Sequence, residues 1–187
     1  MGWDYHHAEH YTKNGSVDRK KELDQDFTWN SETRSYEVLK SKMVGTTYYA
    51  AVKNHVFETG DEYVWGLVCL TRTDMKDYFN FGKKAMDETM GPCAYDCPKN
   101  ILELLTPTDN EFANAWRQAC WNKINNPKPP LGKLPIGTKI KISLGDEEKI
   151  LIKEAPAYQF RKPWWRVDGK TSYWGKKYIP DNYVVID

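Results

Sequence analysis

The chain has 187 residues, 27 Lys and Arg against 26 Asp and Glu for a net charge of +1, and 40% apolar residues. So even a balance argues against a general polyanion binder, no apolar run approaches the ~20 residues that cross a bilayer, and four cysteines are too few for a disulfide scaffold at this size. The length suits one domain with a respectable core, or a main domain with a small appendage. The opening MGWDYHHAEH lacks the basic start and apolar stretch of a secretory signal, so the expected location is the cytoplasm, with no membrane partner.

Residues 1–125 read as an α+β body. GSVDRKKELDQDF predicts a short helix capped by Ser16, with Val17, Leu23 and Phe27 as a loose apolar face. SYEVLKSKMVG, TTYYAAVKNHVF and EYVWGLVCLTR are rich in β-branched and aromatic residues and predict an antiparallel meander of three strands, with residues 58–61 turning between the last two. The run DMKDYFNFGKKAMDETMGP, residues 74–92, is too long and polar for an ordinary hairpin. Its Tyr78, Phe79 and Phe81, with Asp87 and Glu88, suit a surface that a partner buries; the other reading folds the rings back onto the sheet and leaves the acids in water. As an acid/base pair Asp87 and Glu88 lack an accompanying nucleophile. NILELL predicts a short helix stopped at Pro107. A longer helix follows, with Thr108 and Glu111 at capping-box spacing and Phe112, Ala115, Trp116, Ala119 and Ile124 on its buried face. Cys69 and Cys120 read as small core residues.

Two motifs suggest metal chemistry. His7-Ala8-Glu9 matches the H-x-E half of a zinc deaminase signature, whose second half, P-C-x-x-C, supplies two thiolates. Pro92-Cys93-Ala94-Tyr95-Asp96-Cys97 instead puts three residues between its cysteines, and Pro98 delays any helix until after the second. A structural zinc asks less, and His7, His10, Cys93 and Cys97 are its candidate ligands, His7 and His10 having helix-face spacing. Equally, the cysteines shape a tight loop and the histidines are solvated. There is no Walker loop, no G-x-G-x-x-G and no nucleophile elbow.

INNPKPPLGKLPIG holds four prolines and two glycines and predicts a connector over residues 126–137. Beyond it, TKIKISL, KILIKEA, WWRVDG, KYIP and YVVID predict a small SH3-like barrel over residues 138–187, with Ile140, Ile142, Ile150, Ile152, Val167 and Val185 as its core. Charge divides at the same place: residues 1–125 carry 15 basic against 19 acidic side chains, residues 126–187 carry 12 against 7. In the tail, Arg161, Lys162, Arg166, Lys170, Lys176 and Lys177 alternate with Trp164, Trp165 and Trp174, a pattern that suits base stacking with phosphate neutralisation. The same pattern suits a barrel filled by its tryptophans, or one that docks on an acidic protein.

MGW…HA, SVDRKKELD, VLKSKMVGTTYYAAV, DYFNFGKKAMDETMGPC and YDCPKNILELLTPTD together resemble a family of small proteins encoded by phages, plasmids and integrative elements of Firmicutes, a domain of unknown function. The resemblance covers about residues 1–124 and leaves the basic tail outside it. The setting implies a mobile-element accessory protein that inhibits a host anti-phage system, of anti-CRISPR or anti-restriction type, by non-catalytic binding to a defence protein or ribonucleoprotein. The alternatives are a nucleic-acid-binding accessory protein acting through the tail, and a zinc-dependent hydrolase or deaminase.

Overall fold

The computed structural model describes residues 2–8, 17–72, 80–127, 129–144, 147–156, 162–170, 173–176, 179 and 183–186, with residues 80 and 173 by backbone alone. The chain divides into two compact units, Met1–Pro127 and Lys128–Asp187. Strands and helices are both present, and every described strand pair is antiparallel.

The first unit is built on a six-stranded sheet in the order β1-β6-β5-β4-β3-β2. The expected meander forms its centre as β3 (Arg34–Val44), β4 (Thr47–Val56) and β5 (Glu62–Arg72), and β1 (Asp4–His7), β2 (Trp29–Asn30) and β6 (Asn80–Asp87) extend it. Two residues join β3 to β4, and Gly45 takes φ +60 at the first of them, where a side chain would be strained. β6 corrects the expectation of a loop over 74–92. Residues 80–87 pair with both β5 and β1, and Phe81 and Met86, which point to opposite faces, are both buried, so NFGKKAMD is an interior strand whose two lysines are half-buried.

Helices pack on both faces of this sheet. On one, α1 (Arg19–Asp26) lays Leu23 against Tyr48, Ala50, Val52, Leu67, Cys69 and Phe81. On the other, the single turn α2 (Lys99–Leu102) and α3 (Glu111–Asn125) lay Ile101, Leu102, Trp116 and Cys120 against Tyr49, Ala51 and Val68. Both expected caps shift. Asp18 accepts from Lys21 N to start α1, Ser16 lying outside the described residues, and Asn110, not Thr108, accepts from Ala113 N to start α3, while Thr108 Oγ1 receives Asn110 N. The buried face of α3 also differs from the expected one. Ala113, Trp116 and Cys120 are buried, Ala115 is exposed, and Phe112 stands 66% exposed.

The second unit is a five-stranded sheet in the order β10-β9-β8-β7-β11, formed by β7 (Lys139–Leu144), β8 (Glu147–Glu154), β9 (Trp164–Val167), β10 (Tyr173–Trp174) and β11 (Val184–Ile186). Its core contains Ile140, Ile142, Leu151, Trp165 and Val167. The expected core is therefore out of register along β8. Ile140 pairs with Leu151, so Leu151 and Lys153 turn inward while Ile150 and Ile152 are half-buried. Val185 is 38% exposed, and Ile179, expected within a strand, is a buried residue at a bend. Nor is 126–137 a free connector, since Leu131 and Leu134 lie in this core.

Lys153 explains how a lysine can face inward. It is 5% exposed, and its Nζ donates to the carbonyls of Leu131, Gly132 and Leu134 at 3.2, 3.1 and 2.5 Å. All three protons of the ammonium are thereby placed, and the segment is held against the sheet. Tyr183 adds a clamp by donating its hydroxyl to Pro129 O. Lys153→Met is expected to leave three carbonyls without their donor and cost about 3 kcal/mol in denaturant melts. Leu151→Ala should cost about as much while Ile150→Ala costs under about half of that, a contrast that reads the register directly.

Candidate functional site

On the α1 face, a polar network runs beneath the helix. His6 Nε2 lies 3.1 Å from Glu22 Oε2, and its Nδ1 lies 3.8 Å from Asp26 Oδ1, with the ring 4.9 Å from that of Phe81. Lys83 pairs with Asp26, and Asp24 accepts from Lys20, from Ser41 Oγ and from Tyr48 Oη. Burial, with the Asp24 carboxylate beside it, raises the Tyr48 phenol well above its ordinary range. The spacing that delivers three acids, Glu22, Asp24 and Asp26, to one sheet face is the turn of α1 together with its C-terminal end.

On the opposite face, Glu88 sits in the 3-10 turn that follows β6 and is buried. Arg117 of α3 donates Nε and Nη2 to its two oxygens, each at 2.6 Å, and gives Nη1 to Thr106 O at 2.7 Å. Trp116 Nε1 donates to Ala94 O, and its ring lies over Gly66, where an added Cβ would come within 2.8 Å of Cζ3. Such a forked pair is a strong structural bond.

These placements revise the expected partner surface. Phe81 is in the core and Glu88 in the buried ion pair, so neither offers contact area. Asp87 is half-buried and caps the 3-10 turn by accepting from Thr89 N, which leaves no paired acid and base. Tyr78 and Phe79 lie outside the described residues.

The described metal candidates, His7, Cys93 and Cys97, are not brought together as a metal set. His7 is on strand β1, so helix-face spacing does not apply to it, and His10 lies outside the described residues. Cys93 is exposed while Cys97 is buried in the α3-side core, with its thiol 3.9 Å from Pro98 O. Among the described residues, no three His, Cys, Asp or Glu side chains form a set able to hold a metal. Burial raises the Cys97 thiol and pushes those of Cys69 and Cys120 up to about 12.

In the second unit the aromatic tail also withdraws. Trp165 is 2% exposed in the core, and Trp164 is buried with its Nε1 donating to Glu154. Neither can stack on a base. Arg166 donates to the same Glu154, and these two bonds, the arginine's first, hold that carboxyl below its ordinary range. Trp174 is half-buried against the core, with Lys149 Nζ 5.9 Å from its ring centroid. Lys162, Lys170 and Lys176 are exposed. Arg161 and Lys177 lie outside the described residues.

A feature that no motif announced crosses the larger sheet. Trp29 on β2 pairs with Tyr36 on β3, Tyr36 with Asn54 on β4, and Asn54 with Tyr63 on β5, so four residues form one row on the α1 face. The Trp29 and Tyr36 rings stack at 4.5 Å, and Asn54 Nδ2 donates to Tyr63 Oη. Asn54 is fully buried, and its Oδ1 has no hydrogen-bond partner. The aromatics were visible in the sequence, but their alignment depends on strand register.

No protein-family model, no curated protein and no solved structure matches this chain.

Two measurements check this arrangement. Arg117→Met, which strands the Glu88 carboxylate, is expected to cost about 3–5 kcal/mol in urea melts. Thiol labelling of the native chain at pH 8 should modify Cys93 and spare the other three until denaturant is added. The buried thiols keep protons that the unfolded chain sheds above about pH 9, so stability should fall as pH rises from 9 towards 12.

Proposed function

We propose that the chain is a non-catalytic binding protein of a mobile genetic element that inhibits a bacterial anti-phage assembly, of CRISPR or restriction type, in the host cytoplasm. The observation that carries binding over catalysis is the fate of the ionisable side chains. Glu22, Asp24, Asp26, Glu88 and Lys153 are each committed to structural partners inside the fold, and three of the four thiols are buried and hard to ionise. The choice of target class comes from the resemblance over residues 1–124 and is an argument from setting.

The charge division supports a two-handed binder. Residues 1–127 carry 15 basic and 19 acidic side chains, residues 128–187 carry 12 and 7, so an acidic unit and a basic one are available to a ribonucleoprotein or nuclease that presents both signs. The strand order of the second unit, in which β11 returns to pair with β7, supports the reading of an SH3-like barrel.

Nucleic-acid binding through the basic unit is the second reading, favoured by exposed Lys162, Lys170 and Lys176 and by half-buried Trp174 with Lys149 beside its ring. The burial of Trp164 and Trp165 removes its best stacking platforms.

Expressed in strains protected by single defence systems, the chain is expected to raise the plating of a targeted phage by orders of magnitude in at least one strain. A defence-free strain should be unchanged. Unchanged plating against every CRISPR and restriction system tried would sink the proposal. If the isolated chain instead binds single-stranded oligonucleotides, with an affinity that falls steeply with salt and weakens in Lys170→Glu, Lys176→Glu, the second reading takes its place.

A further inference from the structure

We propose that the row Trp29, Tyr36, Asn54 and Tyr63 is a docking site for an arginine side chain of a basic partner protein. The inference rests on the protein-binding reading above and deepens it by naming what one patch of the surface recognises.

Three independent features select the ligand. The first is the unpaired Asn54 Oδ1. A buried acceptor without a donor is costly, and it lies beside a phenol that already receives the Nδ2 of the same amide. What the site lacks is an N–H or O–H donor. This excludes phosphates and carboxylates, which bring only acceptors and negative charge.

The second feature is aromatic. Trp29 and Tyr63 are 49% and 41% exposed on either side of the buried amide. The face of an aromatic ring attracts a cation, and a guanidinium can stack flat on Tyr63, which adjoins Asn54, while its edge donates to the amide, leaving Trp29, beyond the stacked Tyr36, to contact the rest of the peptide.

The third feature is charge. Phe57 N donates to Thr33 O, joining the turn between β2 and β3 to the turn between β4 and β5 at this end of the sheet. Residues 31–34 and 57–61 carry Glu32, Glu58 and Asp61 against Arg34, while Glu62, next to Tyr63 on β5 and so on the other face of the sheet, is paired with Lys53 and lies against His55. A neutral saccharide could stack on the rings and donate a hydroxyl, but it would gain nothing from this acidic rim. A lysine would gain from the rim, yet its compact, strongly hydrated ammonium has no flat face to lay on Tyr63. The guanidinium, with five donors, no acceptor and a planar cationic face, satisfies all three features. Since Oδ1 is itself covered, docking needs a side-chain shift, and half-exposed Tyr63 and Trp29 have the freedom to make it.

The test is a titration of the full-length chain with an acetylated, amidated Gly-Arg-Gly-Arg-Gly peptide, read from the Trp29 indole and Asn54 carboxamide NMR signals. Peptides with citrulline or lysine in place of arginine serve as comparisons. The arginine peptide is expected to shift both signals and to bind at least about fivefold more tightly than its neutral citrulline isostere. Trp29→Ala and Asn54→Leu should each weaken it. Asn54→Leu removes the unpaired acceptor and should fold at least as stably as the parent, so lost binding in that variant reports the site and not the fold. Equal affinity for citrulline, unmoved Trp29 and Asn54 signals, or a shift produced by an oligosaccharide or oligonucleotide in place of the arginine peptide would overturn the proposal. A failed titration beside intact phage-plating activity refutes this site alone, whereas lost plating activity with peptide binding intact refutes the anti-defence reading alone.

Discussion

Tyr48 and Tyr49 are consecutive on β4, so they leave the sheet on opposite faces, and each ends on the layer that covers it. Tyr48 donates to Asp24 of α1, and Tyr49 accepts Asp96 N from the segment leading into α2. Ala50 and Ala51 follow on alternate faces with no exposure at all, small enough to let both layers close down. A central strand covered on both sides is the constraint on which the first unit depends. It requires that the polar ends of the covering helices find partners indoors, and the networks around Asp24, Asp26 and Glu88 are the result. The same constraint explains why so many promising titratable groups turn out to be structural.

The second unit solves a related problem at smaller scale. A sheet of short strands offers little apolar area, and Leu131 and Leu134 from the proline-rich segment complete its core. Those residues come with three carbonyls that a strand would have paired. Lys153 takes that place, its ammonium serving as an internal donor to an irregular backbone. Proline in this segment therefore marks a chain that packs without a ladder.

Much of the scaffold was legible in the sequence. β-branched and aromatic runs with glycine punctuation located β3, β4 and β5, and a helix ending near residue 125 followed from its apolar spacing. Cys69 and Cys120 are buried as their apolar neighbourhoods implied. What misled were signals whose meaning depends on a partner. NFGKKAMD looked like loop because its lysines mask a strand that distant β1 and β5 pair on either side, and DETM looked like exposed acid because Arg117 is 29 residues away. WWRV suited a stacking surface and a filled core equally, because tryptophans beside basic residues read alike whether the rings face water or core. In KILIK the alternation was plain but its parity was not, since isoleucines on one face and a leucine and a lysine on the other gave no apolar reason to choose the second.

By itself the sequence determined where the central strands β3, β4 and β5 and the helices can form and where charge changes sign, because propensity, periodicity and composition are local. Only the tertiary structure decided which groups are inside. Burial, ion pairing and strand register are set by residues distant along the chain, and those decide whether a carboxylate is a bond, whether a tryptophan is a surface, and whether four residues on four strands align as one row around an unpaired amide.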